Sequence, residues 1–198
     1  MKLALFDFDG TITRKDSFAD FFLHTVGGIR FSLGFLVMSP VIALYKLGVI
    51  ANDKAKEMVL SHFFKGWNIN EFKETAQHYS NERLPGLVRK EAMERLLWHK
   101  EQGHVVVVIS ASIECWLEGW CSMYGVDLIA TKLECKDGKL TGRFSTENCY
   151  GGEKVRRLRE KYVPEAFDYI YAYGDSQGDR EMLQLADEPY YQTFEATR

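Results

Sequence analysis

Short apolar runs recur along the chain, and each is typical of a buried β-strand. They lie at Leu3 to Phe8, Val105 to Ile109, Leu128 to Ala130 and Tyr169 to Tyr173. Amphipathic stretches with helical spacing lie between the later runs, from Glu114 to Tyr124 and from Glu153 to Tyr162. Because strands alternate with helices, we predict an α/β fold with a doubly wound parallel sheet.

Before the second predicted strand, roughly seventy residues intervene from Lys15 to about Pro85, whereas a crossover connection needs only a dozen or so. We therefore predict an inserted α-helical cap at residues 15–85 and a core domain that combines residues 1–14 and 86–198. In the cap, a polar helix is expected from Asn70 to Arg83. In the core, Asp137-Gly138 between alternating flanks predicts a β-hairpin.

One segment of the predicted cap, Phe31 to Tyr45, carries no charge and is bounded by Arg30 and Lys46. A helix that spans a membrane needs about twenty apolar residues, so this segment is too short for one. Two interpretations stay open. The segment packs inside the cap, or it forms a membrane-facing or acyl-chain-binding helical hairpin that is broken at Pro40.

The composition of the chain indicates which partners and which cellular compartment are expected. The chain has 198 residues, of which 46% are hydrophobic, so it can bury a substantial core. A net charge of -3 without a basic run indicates no nucleic-acid partner. Four cysteines without C-x-x-C spacing are expected as free thiols. Without a signal-peptide pattern, we expect a cytoplasmic protein.

Acidic residues follow the first and last predicted strands. Asp7 and Asp9 come directly before a Gly10-Thr11 turn, and Asp175 follows the strand that ends near Tyr173. Parallel α/β sheets bind ligands at the carboxyl ends of their strands. Neighbouring carboxylates repel one another unless a cation lies between them, and Mg²⁺ prefers carboxylate, water and phosphate oxygens. The sequence therefore predicts a magnesium site at this sheet edge.

Groups that can bind a phosphoryl oxygen follow the second strand and begin a later helix. The hydroxyl of Ser110 and the backbone N–H groups of Ala111 and Ser112 are expected at a helix start, where anions bind. Lys154 supplies a positive charge near the same edge. A phosphate that approaches a carboxylate needs such charge and such donors.

Together these residues resemble the motifs of the haloacid dehalogenase superfamily, in its subfamily IB, the phosphoserine-phosphatase-like branch, which includes phosphatidylglycerophosphate phosphatases. The resemblance covers essentially the whole chain. It rests on Asp7-x-Asp9-Gly10-Thr11, then Ser110, then Lys154, and finally Gly174-Asp175-Ser176 with Asp179. It implies a Rossmann-like core with an inserted helical cap.

The resemblance also implies a reaction and a role for each residue. The enzyme would be a Mg²⁺-dependent phosphomonoester hydrolase in which Asp7 attacks phosphorus and Asp9 acts as the general acid and base. Mg²⁺ would bind Asp7, Asp175 and the carbonyl of Asp9. Ser110 and Lys154 would bind the phosphoryl oxygens, and Asp179 would support the metal or orient the lysine.

The substrate depends on the cap. Asp16 stands where the family carries an acidic substrate-binding residue, although Asp16 and Ser17 could equally cap the next helix. No arginine occurs from Ile50 to Asn81, which argues against phosphoserine, whose carboxylate the family binds with a cap arginine. The apolar cap segment instead favours a lipid-linked phosphomonoester such as phosphatidylglycerophosphate, and a small phosphomonoester stays possible.

Two functions other than hydrolysis are compatible with some of these residues. A phosphorylation switch of the receiver type also uses an acceptor aspartate, a hydroxyl, a lysine and Mg²⁺, but its acceptor follows the third strand and Asp7 follows the first. A silent lipid- or protein-binding module is disfavoured because every reactive side chain is retained. We expect a cytoplasmic enzyme, or one that is peripheral at the inner face of the membrane through its cap. The oligomeric state is left open.

Overall fold

A five-stranded parallel sheet forms the centre of the fold in the computed structural model, which describes residues 1–194. The strands are β1 (Lys2–Phe6), β2 (Val105–Ile113), β3 (Asp127–Thr131), β6 (Tyr169–Gly174) and β7 (Glu188–Tyr191). Their spatial order is β3-β2-β1-β6-β7, with every pairing parallel. The first strand is therefore central, and β2 and β6 flank it.

Helices cover the sheet and fill the long segment between its first two strands. That segment holds α1 (Ser17–Val26), α2 (Gly28–Lys46), α3 (Asn52–Phe64), α4 (Ile69–His78) and α5 (Lys90–Glu101). The remaining helices are α6 (Glu114–Tyr124), α7 (Gly152–Lys161) and α8 (Arg180–Leu185). Apolar side chains pack against both faces of the sheet in two clusters. The predicted α/β fold class is confirmed.

The predicted β-hairpin also forms. Its strands are β4 (Leu133–Lys136) and β5 (Lys139–Phe144), which pair antiparallel outside the main sheet. Asp137 and Gly138 both have positive φ, at 51° and 73°, as a two-residue hairpin turn with the right twist requires. The hairpin packs on α3, where a side chain at Gly142 would collide with Ser61.

Several boundaries differ from the prediction. β1 ends at Phe6, two residues early, because the chain leaves the sheet and turns from Phe8 to Ile12, with non-helical backbone angles at Asp9 and Gly10. The helix expected from Asn70 to Arg83 ends at His78 and continues as a π-helical turn, Tyr79–Arg83. The edge strand β7 was not predicted, because it is short and contains Pro189.

The uncharged cap segment forms one continuous helix, so the predicted break at Pro40 is wrong. The expectation of core packing also fails for most of the segment. Within α2 only Gly34 and Val41 are buried, whereas the apolar side chains of Leu36 and Val37 are 70% and 59% exposed. Among the described residues, α2 is the one helix that is long and apolar enough to cross a membrane.

Candidate active site

Asp7 lies at the carboxyl end of the central strand. Its backbone N–H donates to the carbonyl of Tyr173 at 2.9 Å, which extends the β1–β6 pairing by one residue. The chain then turns through Gly10, whose φ of 84° suits glycine. A side chain at Gly10 would collide with the carboxylate of Asp175. This turn therefore lets the ends of β1 and β6 bring their acids together.

Lys154 connects two of the acids inside the protein. Its Nζ lies 2.5 Å from Oδ1 of Asp7, 2.6 Å from Oδ1 of Asp179 and 2.9 Å from the carbonyl oxygen of Ile109. Only 2% of the residue is exposed. Burial alone would lower the pKa of Lys154, but the two carboxylates outweigh burial and raise this pKa, so the amine keeps its charge.

Asp179 holds this lysine and also the loop after β6. Its second oxygen, Oδ2, accepts from the backbone N–H of Asp175 at 3.1 Å and from the N–H and hydroxyl of Ser176, each at 3.0 Å. Burial raises the pKa of Asp179, but Lys154 more than offsets that effect, and the pKa falls below its usual value. Both carboxylate oxygens are engaged, so Asp179 orients its neighbours.

Asp9 points away from Lys154, toward the first helix of the cap segment. Its Oδ1 accepts from the backbone N–H of Ser17 at 2.6 Å, and its Oδ2 accepts from the hydroxyl of Ser112. Burial and the nearby Asp16 raise the pKa of Asp9 to about 6. Burial likewise raises the pKa of Asp7 to about 7, against the effect of Lys154. The two carboxylates are thus held in different environments.

Ser110, Ala111 and Ser112 lie on the last part of β2, and α6 begins only at Glu114. The expectation that they stand at a helix start is therefore wrong. The β2–β3 register shifts between Ser110 and Ile113, so this part of the strand is irregular. The hydroxyl of Ser110 accepts from the N–H of Ser112 at 3.0 Å, and the residue is almost fully buried.

The acids can form a site for a divalent cation. Carboxylate oxygens of Asp7, Asp175 and Asp179 lie within 4.8 Å of one another. Such a group of carboxylate oxygens suits Mg²⁺, which binds one or two carboxylates and takes its other ligands from water and phosphate. Because Asp179 is committed to Lys154 and the loop, Asp7 and Asp175 are the carboxylates that fit the cation.

A cavity of about 340 Å³ opens beside Asp7 and gathers the predicted site residues. Ser110, Ala111, Ser112, Lys154, Asp175 and Asp9 all line it. Asp179 does not line it and acts from behind Lys154. Asp16 lines the cavity and also caps α1, since its Oδ1 accepts from the N–H groups of Phe18 and Ala19. The capping interpretation is therefore confirmed, and the substrate-binding role of Asp16 stays a prediction.

Sequence reasoning missed the basic residues of this cavity. Lys56 on α3 is directed to the active site, where its Nζ donates to the carbonyl of Ala111 at 3.0 Å. Arg14 and Lys15 line the same opening, together with Asn52 and Tyr150. The range from Ile50 to Asn81 has no arginine, but it contains Lys56, which supplies a positive charge to the cavity. A signal was present, because Asn52 and Lys56 are four residues apart and share one face of a helix.

The sequence profile of the haloacid dehalogenase-like hydrolases matches residues 4–184. This chain belongs to that family. It is 36% identical over 194 residues to the protein CicA of Caulobacter vibrioides, an alignment that covers 97% of this chain and 86% of CicA. The family assignment confirms the predicted superfamily and supports the predicted class of enzyme.

Solved structures show the same fold. A protein from Bordetella pertussis Tohama I superposes with a TM-score of 0.81 at 22% identity, over 95% of this chain and 88% of that one. A phosphoserine phosphatase, solved as an analogue of its phospho-aspartyl intermediate, superposes with a TM-score of 0.68 at 22% identity. That match covers 95% of this chain and 84% of the phosphatase.

Proposed function

We propose that this protein is a Mg²⁺-dependent phosphomonoester hydrolase that forms an aspartyl phosphate on Asp7. The observation that carries the proposal is the separation of two acids in one cavity, where Asp7 is buried and Asp9 is half-buried. Asp7 is paired with Lys154 at 2.5 Å, whereas Asp9 is held by Ser17 and Ser112. One carboxylate can therefore attack while the other transfers protons.

In the first step, a carboxylate oxygen of Asp7 attacks phosphorus and the bond to the leaving-group oxygen breaks. Asp9 donates its proton to that oxygen. A pKa raised to about 6 keeps a fraction of Asp9 protonated near neutral pH, as a general acid needs. The backbone N–H of Ser17 and the hydroxyl of Ser112 hold the carboxyl in place.

In the second step, the ionised Asp9 takes a proton from water, and the resulting hydroxide attacks phosphorus. The bond between phosphorus and Asp7 breaks, which releases inorganic phosphate and restores both carboxyl groups. Asp9 ends protonated, ready for another cycle. The same residue serves both steps because it faces the leaving group in the first and the water in the second.

The transferring oxygens need positive charge and donors. Lys154 and the hydroxyl of Ser110 supply them, with the backbone of Ala111 and Ser112, and Asp179 positions the lysine. Mg²⁺, when bound, neutralises charge between the nucleophile and the phosphate. Asp7, Asp175 and the carbonyl of Asp9 would hold it. In this scheme residues 15–85 form the cap that covers the core.

Three basic residues that line the cavity favour a leaving group that is itself negatively charged. They are Arg14, Lys15 and Lys56, and Asp9 and Asp16 line the same cavity. A lipid-linked phosphomonoester such as phosphatidylglycerophosphate fits, since a second phosphate lies next to its scissile group. Phosphoserine is the alternative, because Lys56 supplies a cap cation that could pair with its carboxylate. We place the enzyme in the cytoplasm, either free or peripheral at the inner face of the membrane.

The test is a panel of phosphomonoesters assayed with Mg²⁺ and with EDTA. It includes p-nitrophenyl phosphate, phosphoserine and phosphatidylglycerophosphate in detergent micelles. We expect metal-dependent phosphate release from the wild type, and loss of release in Asp7→Asn. The matched control is Asp137→Asn, in an exposed turn where asparagine accepts the positive φ. Hydrolysis by folded Asp7→Asn, or full activity in EDTA, would refute the proposal.

A further inference from the structure

The helix α2 exposes an apolar face that a helix on a water-facing surface normally lacks. Ile29 is 80% exposed, and Leu33, Leu36 and Val37 are 59–70% exposed along the same helix. The face continues past the helix end through Leu47 and Val49, at 76% and 69%. These six residues define the α2 face.

The opposite side of α2 is fixed to its neighbours. Phe31 and Met38 pack against the core cluster, and Gly34 lies so close to the ring of Phe63 that no side chain would fit. Val41 is buried on the same side. The chain reaches α2 directly from α1 and leaves it toward α3, both of which contact it. The helix therefore lies along the protein surface, with the α2 face outward.

The charges around the α2 face point to an anionic bilayer as its partner. From Phe21 to Asn52 the chain contains no aspartate or glutamate, although its net charge is -3. The two formal charges in that stretch are Arg30 and Lys46, one near each end of α2. An apolar face with basic ends is typical of a helix that lies in the headgroup region of a membrane.

The carboxyl end of α2 adjoins the catalytic cavity. The hydroxyl of Tyr45, at the end of α2, accepts a hydrogen bond from the Asn52 amide at 2.9 Å, and Asn52 lines the cavity. A bilayer that covers the face would thus lie beside the basic opening. A lipid whose phosphomonoester stands in the headgroup layer would reach the active site without leaving the membrane.

We propose that the α2 face docks on a bilayer rich in anionic lipid and holds the cavity at the membrane surface. The docking is independent of catalysis, whereas the delivery of a lipid phosphomonoester to Asp7 rests on the proposed phosphatase function. The helix lies in the interface and does not span the membrane, since α1 and α3 contact it and Phe31 and Met38 pack its inner side against the core cluster.

Flotation with vesicles tests this docking. The full-length protein is mixed with vesicles of phosphatidylcholine alone or with added phosphatidylglycerol. We expect binding that is stronger with phosphatidylglycerol. The variant Leu36→Glu/Val37→Glu should bind the vesicles at least about tenfold more weakly than the wild type, because two exposed apolar side chains become charged. The matched control is Met123→Glu/Val163→Glu, at two residues that are 56% and 64% exposed elsewhere and that should leave binding unchanged.

Circular dichroism and thermal unfolding establish that each variant is folded. If the wild-type protein stays in the lipid-free fraction, the proposal is overturned. It is also overturned if Leu36→Glu/Val37→Glu binds the vesicles as well as Met123→Glu/Val163→Glu does. Sedimentation in the absence of lipid tests whether a second copy of the protein covers the α2 face instead. If the wild type is a dimer and Leu36→Glu/Val37→Glu is a monomer, a second copy covers the face and the proposal is overturned.

Hydrolysis of soluble p-nitrophenyl phosphate by the wild type keeps the two proposals distinguishable. Hydrolysis without flotation means that the docking proposal alone fails. Flotation without hydrolysis of any phosphomonoester means that the phosphatase proposal fails and the docking stands. The variant Arg30→Gln/Lys46→Gln should reduce the preference for phosphatidylglycerol and retain weaker binding to both vesicles.

Discussion

Replacement of Lys154 by methionine should destabilise the protein strongly, and more so at high pH. Methionine fills a similar volume but removes the charge that lies 2.5 Å from Asp7 and 2.6 Å from Asp179. The carboxylates of these acids come within 4.8 Å of each other. At an effective dielectric constant of about 20, that separation gives a repulsion of about 3.5 kcal/mol. Loss of one partner from a buried ion pair typically costs about 3–5 kcal/mol.

Protonation of Asp7 can relieve this repulsion, which sets the direction of the pH dependence. Its folded-state pKa is already raised from 3.8 to about 7, and loss of Lys154 would raise it further. A group whose pKa is raised on folding favours the folded state at low pH, and this contribution is lost as pH rises through the folded pKa. The deficit of Lys154→Met should therefore be larger at pH 8 than at pH 5.5.

Urea unfolding at these two pH values, with EDTA to remove divalent cations, measures the effect. The double variant Lys154→Met/Asp7→Asn should be more stable at pH 8 than Lys154→Met, because only one buried carboxylate remains. Lys161→Met, at an exposed lysine on the same helix, is the control. If Lys154→Met matched the wild type at pH 8, or if Asp7→Asn gave no recovery, the account of this buried cluster would be wrong.

Three further predictions concern the residues around this cluster. Asp9→Asn should lower turnover by about 10²–10⁴-fold, because it removes the proton donor and acceptor; steady-state assays with p-nitrophenyl phosphate measure this. Lys56→Met should raise KM about tenfold for substrates with an anionic leaving group and spare p-nitrophenyl phosphate, with exposed Lys54→Met as control. Burial raises the pKa of Asp20, but Arg83 outweighs burial and lowers it, so Asp20 stabilises the protein above pH 3.8 and loses this effect as pH falls through its folded pKa. Asp20→Asn should therefore cost about 1 kcal/mol at pH 7, a small value because Arg83 is exposed, and this cost should shrink as pH falls below 3.8; urea unfolding measures both.

The residues at the strand ends could be predicted from sequence because parallel strands bring their carboxyl ends to one edge. Asp7, Ser110 and Asp175 each follow an apolar run, and the three runs are neighbouring strands in the sheet. Lys154 was recognisable from the family motif, and its contact with Asp179 was one of the two roles expected for that acid. The burial of this pair was not foreseen, since sequence spacing does not report on burial.

Other features depend on tertiary packing that no local pattern encodes. The sequence of an uncharged run is the same whether the run is buried or exposed, so the sequence left both positions of α2 open and only the structure decides between them. Lys56 lies 49 residues beyond Asp7 in the sequence, and only the packing of α3 against the core brings it to Ala111. Ser112 was expected at a helix start, and the strand geometry instead directs its hydroxyl to Asp9.

The most direct test of the account is detection of the covalent intermediate on Asp7. Asp9→Asn lacks the base that activates water, so it should retain the phosphoryl group after reaction with p-nitrophenyl phosphate and Mg²⁺. Rapid acid quenching and peptide mass spectrometry should then show one phosphoryl group on Asp7. The double variant Asp7→Asn/Asp9→Asn should carry no phosphoryl group. Phosphorylation of another residue, or turnover by Asp9→Asn without any phosphorylated protein, would contradict the account.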